Sequence, residues 1–67
     1  MTEVFPDADL AACAKREVAQ RRRVYARLVV TGRMEQAKAD KEIALMQAIA
    51  DHFQKRADDE AAKGRLL

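Results

Sequence analysis

Apolar residues recur along this chain at three- and four-residue intervals, the spacing that gives a helix one hydrophobic face. Between Ala8 and Thr31 neither glycine nor proline interrupts the pattern. With residues at about 100° intervals, Leu10, Cys13, Ala14, Val18, Val24, Tyr25, Leu28 and Val29 gather on one side of that stretch. Farther along, Ala39, Ile43, Met46, Ala50, Phe53 and Ala57 follow the alternating four-three spacing of a coiled-coil seam, and Leu45 and Ile49 widen the stripe. The punctuation agrees. Phe5-Pro6-Asp7 reads as a helix start with Asp7 as N-cap, and Asp9 in the first turn complements the helix dipole. Gly32 suits the left-handed residue that follows a helix end, whereas Glu35 is a weak cap for the second helix. The pattern predicts an all-α fold: helix over about 8–31, turn at 32–35, helix over about 36–62, in one hairpin spanning 1–67. So short a turn forces the helices antiparallel and into contact. Each helix then has only one neighbour, so part of each apolar face stays uncovered, and the expectation is a homodimer closing as a four-helix bundle.

Size and composition point the same way. A chain of 67 residues buries only about 60% of the surface it exposes when unfolded, and such domains usually need a disulfide, a metal or a partner subunit. One cysteine makes no internal disulfide, and one histidine with one cysteine makes no zinc site. No run of about 18 apolar residues is present, so no membrane span is expected. Residues 1–9 are acidic and lack the basic and apolar regions of a signal peptide, and a free thiol at Cys13 suits a reducing compartment; the expected location is cytoplasmic.

Charge is distributed unevenly. Residues 1–9 carry −3, residues 10–33 carry +6 and residues 34–67 carry −1. In the basic segment Arg16, Gln20, Arg23 and Arg27 share the side of the first helix opposite its apolar face, with Lys15 and Arg22 on a flank. Such a row can track phosphates, contact an acidic protein or simply lie in solvent. Tyr25 is the one nearby aromatic, so base stacking is poorly served, and no third helix completes a helix-turn-helix.

Polar residues also enter the apolar stripe. Glu17 and Arg21, four apart in the favourable order, fall inside it, and a turn centred on Arg33 sets Arg21 opposite Glu42 to Met46. A Glu17–Arg21–Glu42 network follows, either fixing register between helices or forming a polar recognition site. His52 beside Asp51 lacks a nucleophile or a second ligand and reads as a surface residue, while Cys13 reads as a small buried hydrophobe. Asp58-Asp59-Glu60 spreads around its helix rather than forming a calcium loop. No glycine-rich phosphate loop is present, and the expectation is no enzyme, no cofactor, no metal and no small-molecule substrate.

The run Arg21-Arg22-Arg23-Val24-Tyr25-Ala26-Arg27-Leu28-Val29, then Gly32-Arg33-Met34, Gln36, Ala39-Asp40, Glu42-Ile43-Ala44-Leu45-Met46 and Ala48-Ile49, resembles a group of small helical-hairpin proteins encoded in phages and prophages of proteobacteria. That group reads RRRVYxRxVxxG followed by [RK]M[TS]Q and ADREI. The likeness covers roughly residues 16–53, and Glu35 stands where the group has Thr or Ser. It implies a phage or prophage origin and a helical hairpin, and it transfers no catalytic residue.

Two functions compete on these grounds. The first is an interaction protein that docks on a host protein and modulates it, with Arg16, Arg23 and Arg27 for charged contact and Leu45, Met46, Ile49 and Phe53 for packing. The alternative is a nucleic-acid-binding dimer that uses the basic face of the first helix, which would reveal itself by a steep salt dependence.

Overall fold

Pro6 sets where the first helix begins. In the computed structural model, which describes residues 3–65, Pro6 is extended (φ −60°, ψ 147°) and is itself the N-cap. Its carbonyl accepts the amides of Asp9 at 3.0 Å and Leu10 at 3.2 Å. Asp7 is therefore the first helical residue and not the expected cap, and no side chain caps this end. A carboxylate in the first turn still meets the positive end of the dipole. Helix α1 runs Asp7–Val30 and α2 runs Gln36–Arg65, farther than the expected end at about 62; residues 31–35 join them, and the two pack against each other.

The turn is built by backbone chemistry. Thr31 ends α1 and Gly32 takes φ 76°, a left-handed conformation that residues with a Cβ adopt only at a cost. The Gly32 amide then reaches the Val29 carbonyl at 3.0 Å, and the Arg33 amide reaches that of Leu28 at 2.8 Å, the two bonds of a Schellman motif. Gly64 has no such conformation, and α2 passes through it. A Cβ added at either glycine meets nothing within 4 Å, so only backbone conformation separates them. Gly32→Ala is expected to destabilise the fold by about 1–2 kcal/mol, whereas Gly64→Ala leaves it unchanged or stabilises it by less than about 1 kcal/mol. Urea midpoints of the two variants check this, and equal midpoints would contradict it.

The seam of α1 follows Ala11, Ala14, Val18, Arg21, Tyr25 and Leu28, alternating three and four residues. Its centre differs from the expected apolar face. Cys13 is exposed rather than a buried hydrophobe, and Val24 is 39% exposed. Ala11, absent from the expected face, is buried. Cys13 and Val24 are apolar residues beside the true seam, which includes two alanines and an arginine among its six positions. On α2, Ala39 and Ala50 are buried, with Ile43, Met46, Phe53 and Ala57 half-buried beside them, as the seven-residue pattern requires. Leu45 and Ile49 lie outside the seam, 49% and 45% exposed.

The resulting core is thin. Among the described residues only Ala11, Ala14, Val18, Ala39 and Ala50 are buried, and no large side chain is fully enclosed. Ala14, Val18 and Ala50 form its centre, with Ile43 and Met46 packed against them. Small side chains let helix axes approach toward the lower end of the usual range of about 8–10 Å. The hairpin spans 54 × 29 × 14 Å, one helix thick. No helix among the described residues is long and apolar enough to cross a membrane.

Candidate functional site

Arg21 occupies a seam position where most hairpins would place a leucine, and its guanidinium reaches both helices. Nε donates to Glu17 Oε1 at 3.1 Å, one turn back on α1. Nη1 donates to the Glu42 backbone carbonyl at 2.8 Å and lies 3.8 Å from Glu42 Oε2. Glu17, Arg21 and Glu42 are thus brought together. Lys38 adds a fourth member, 3.7 Å from Glu42 Oε1, which makes the cluster two acids and two bases. Sequence reasoning missed Lys38, although its spacing of four from Glu42 was the signal. The Arg21 side chain is 24% exposed, so the cluster is partly sheltered and its bonds are screened less than those of a free surface pair. Among the described residues no buried side-chain nitrogen or oxygen lacks a hydrogen-bond partner.

Four of the six acids of α2 are held by their own helix. Gln36 donates to Asp40 at 2.8 Å, Gln47 to Asp51 at 2.9 Å, Gln54 to Asp58 at 2.8 Å and Lys55 to Asp59 at 3.1 Å, each across four residues. Two further contacts clasp the open end of the hairpin: Arg56 Nε lies 3.3 Å from Asp7 Oδ2, and Lys15 donates to Gln54. Neither clasp was legible in the sequence, since each depends on the offset between helices.

This local pairing leaves the basic row of α1 unneutralised. Arg16, Gln20, Arg23 and Arg27 are all exposed on the side away from α2. Among the described residues no carboxylate pairs with Arg16, Arg22, Arg23, Arg27 or Arg33. Arg16 and Arg27 are eleven residues apart, so the row spans about 16 Å at the helical rise of about 1.5 Å per residue. Planar guanidinium groups spaced in this way suit bidentate contact with carboxylates or phosphates.

The apolar residues expected to pack on a partner divide into two pairs. Met46 and Phe53 are half-buried in the seam, while Leu45 and Ile49 project beyond it. His52 is exposed, its ring edge-on to Phe53 at 5.1 Å between centroids and 81° between planes. Among the described residues no three His, Cys, Asp or Glu side chains gather where they could hold a metal ion. Comparison with protein-family models, with curated proteins and with solved structures finds no match to this chain.

Proposed function

We propose that this chain is a non-enzymatic interaction protein of phage or prophage type, a homodimeric four-helix bundle that works in the cytoplasm of a bacterial host and modulates a host protein by docking on it. The observation that carries this reading is the unpaired arginine row Arg16, Arg23 and Arg27, turned away from the seam while Asp40, Asp51, Asp58 and Asp59 of α2 are held along their own helix. A row that is not used to hold the fold together is available to a partner with an acidic surface. The mechanism is steric: a rigid helix laid on that surface occludes whatever else would bind there. The dimer supplies the burial that the hairpin lacks, and Leu45 and Ile49 are the apolar residues left for contacts outside the seam.

The test is capture of the host partner on tagged protein after nuclease treatment, followed by affinity measurement with Arg16→Ala/Arg23→Ala/Arg27→Ala. The triple variant is expected to keep its helicity and to bind at least about tenfold more weakly, about 1.4 kcal/mol, because several rim charges together steer and hold the complex. Unchanged affinity would remove the arginine row from the account. The alternative, a nucleic-acid-binding dimer, draws on the same three arginines of α1 with Arg22 on their flank, none of them paired with a carboxylate among the described residues. It predicts material lost on nuclease treatment, with the logarithm of affinity falling against the logarithm of salt by nearly one unit per phosphate contact.

A further inference from the structure

The two long faces that flank the seam differ in chemistry. On α1 the row Leu10, Glu17, Val24 repeats every seven residues, and on α2 so does the row Glu42, Ile49, Arg56. Arg21 bonds to both Glu17 and Glu42, and Arg56 reaches the seam position of Asp7, so both rows border one face. Leu45, four residues before Ile49, lies at the outer margin of that face. On the other face run Lys15, Arg22 and Val29 of α1 with Asp40, Gln47 and Gln54 of α2, joined by the Lys15–Gln54 hydrogen bond. Apolar surface there lies at one end, in a groove beside the turn where Tyr25, Ala26, Val29, Val30, Ala39 and Ile43 are rimmed by Arg22 and Gln36. The first face carries Leu10, Val24, Leu45 and Ile49 along its length, with half-buried Met46 and Phe53 beside them.

We propose that a second copy of this chain packs on the face bearing Val24, Leu45 and Ile49, enclosing the Glu17–Arg21–Glu42–Lys38 cluster between the two hairpins. This rests on the dimer reading above and states which surface makes the dimer. The chain as a whole has surface to spare for a dimer. A compact monomer of 7.5 kDa exposes about 4,200 Å². This chain exposes 5566 Å², an excess of roughly 1,300 Å² against the roughly 800 Å² that a standard interface takes from each partner. Charge selects the occupant. The cluster is neutral as a whole, so enclosing it strands no net charge, and a two-fold axis brings the same neutral, apolar surface against itself. An acidic partner has no reason to choose this face while the arginine row stands free. A polar cluster inside an apolar interface also has a defined use, because sliding the subunits out of register would cost it its partners. Arg16 and Arg23 point away from the seam and stay outside such a bundle. Dimer formation therefore leaves Arg16 and Arg23 free for a partner, while Leu45 and Ile49 pack between the two copies rather than on the host protein.

Thiol labelling in a Cys13→Ser background tests the assignment without breaking the fold. Ile49→Cys lies on the proposed interface and Arg22→Cys on the opposite face, both at exposed positions of the hairpin. Sedimentation equilibrium first gives the concentration range over which the wild-type chain dimerises. Maleimide labelling at Ile49→Cys is expected to be at least about tenfold slower in the dimer than on dilution, because burial must be undone before the thiol reacts, while Arg22→Cys labels equally fast at both concentrations. If Arg22→Cys is the slowed position and Ile49→Cys is not, the dimer stands and its assigned face is overturned. A wild-type chain that sediments as a monomer throughout the micromolar range, with both thiols fast, overturns the face and the dimer reading together.

Discussion

Replacing Ala50 with aspartate is expected to abolish the cooperative helical transition of this chain. Ala50 is fully enclosed, facing Ala14 and Val18 at the centre of the seam, with Ile43 and Met46 packed around them. A carboxylate there has no hydrogen-bond partner and no room to reach water. Burying it unpaired costs several kcal/mol. A domain of this length has a total stability of about 3–10 kcal/mol, from about 0.05–0.15 kcal/mol per residue, and a hairpin one helix thick belongs at the low end. Ala50→Leu tests volume without charge: the close helix approach leaves no space for three added carbons, and overpacking is expected to cost about 1–3 kcal/mol. Ala48→Asp, two residues away on the exposed side of α2, is the control and should cost less than about 1 kcal/mol. Far-UV circular dichroism with thermal melting reads all three. Native helicity and an unshifted melting temperature in the Ala50→Asp variant would show that the alanine seam does not hold the helices together.

Charge reversal at Arg21 is the second large effect. Arg21→Glu removes the guanidinium that bonds to Glu17 and Glu42 and puts a third carboxylate between them. Breaking a fully buried pair costs about 3–5 kcal/mol; with the Arg21 side chain 24% exposed, about 2–3 kcal/mol is expected. Arg21→Met separates the two things the residue does. It leaves an apolar seam residue of similar length, and in the separated hairpin Glu17 and Glu42 can both turn to solvent, so no charge is stranded in its core. Hairpin stability, read below the concentration at which the chain dimerises, is expected to lie within about 1 kcal/mol of the parent chain. Where Arg21→Glu loses both stability and dimer, Arg21→Met should keep its stability while losing a unique dimer register. Chemical denaturation together with sedimentation velocity tests the pair, and equal losses of stability in the two variants would show that the guanidinium's bonds hold the hairpin together rather than fix its register.

Much of this fold is legible in the sequence, and the parts that are not share a cause. The seam of α2 stands out because its larger members, Ile43, Met46 and Phe53, coincide with the seven-residue pattern. The end of α1 stands out because Gly32 is the one glycine between two long glycine-free stretches. The Glu17–Arg21–Glu42 grouping follows from folding the chain back about its turn. The seam of α1 is obscured because alanine carries little hydrophobic signal and an arginine sits where an apolar residue would be expected. Cys13 is more hydrophobic than Ala11 and Ala14, and Val24 than Arg21, so an apolar pattern places the face to one side of the true seam. The misplaced cap has a similar origin: Asp7 has the right chemistry, but Pro6 already supplies the extended residue that starts a helix, and the Asp7 carboxylate goes to Arg56. Contacts between helices, such as this one and Lys15–Gln54, depend on an offset that no single-helix pattern encodes.

The alanine seam also governs how this protein can change. A core built from large interlocking side chains ties many positions to one another, so that altering one calls for altering its neighbours. Here the close fit is confined to a few buried positions whose side chains are already near the smallest available, and they have little to gain from exchange. The outward rows of both helices are almost free of that constraint. The molecule therefore behaves as a rigid rod whose outer surface can be rewritten residue by residue, including the arginines of α1, without the fold being renegotiated. A saturation scan read out by folding alone would show it as two populations: a narrow intolerant band along the seam and the flanking face bearing Val24 and Ile49, and a broad permissive exterior on which binding specificity is free to drift.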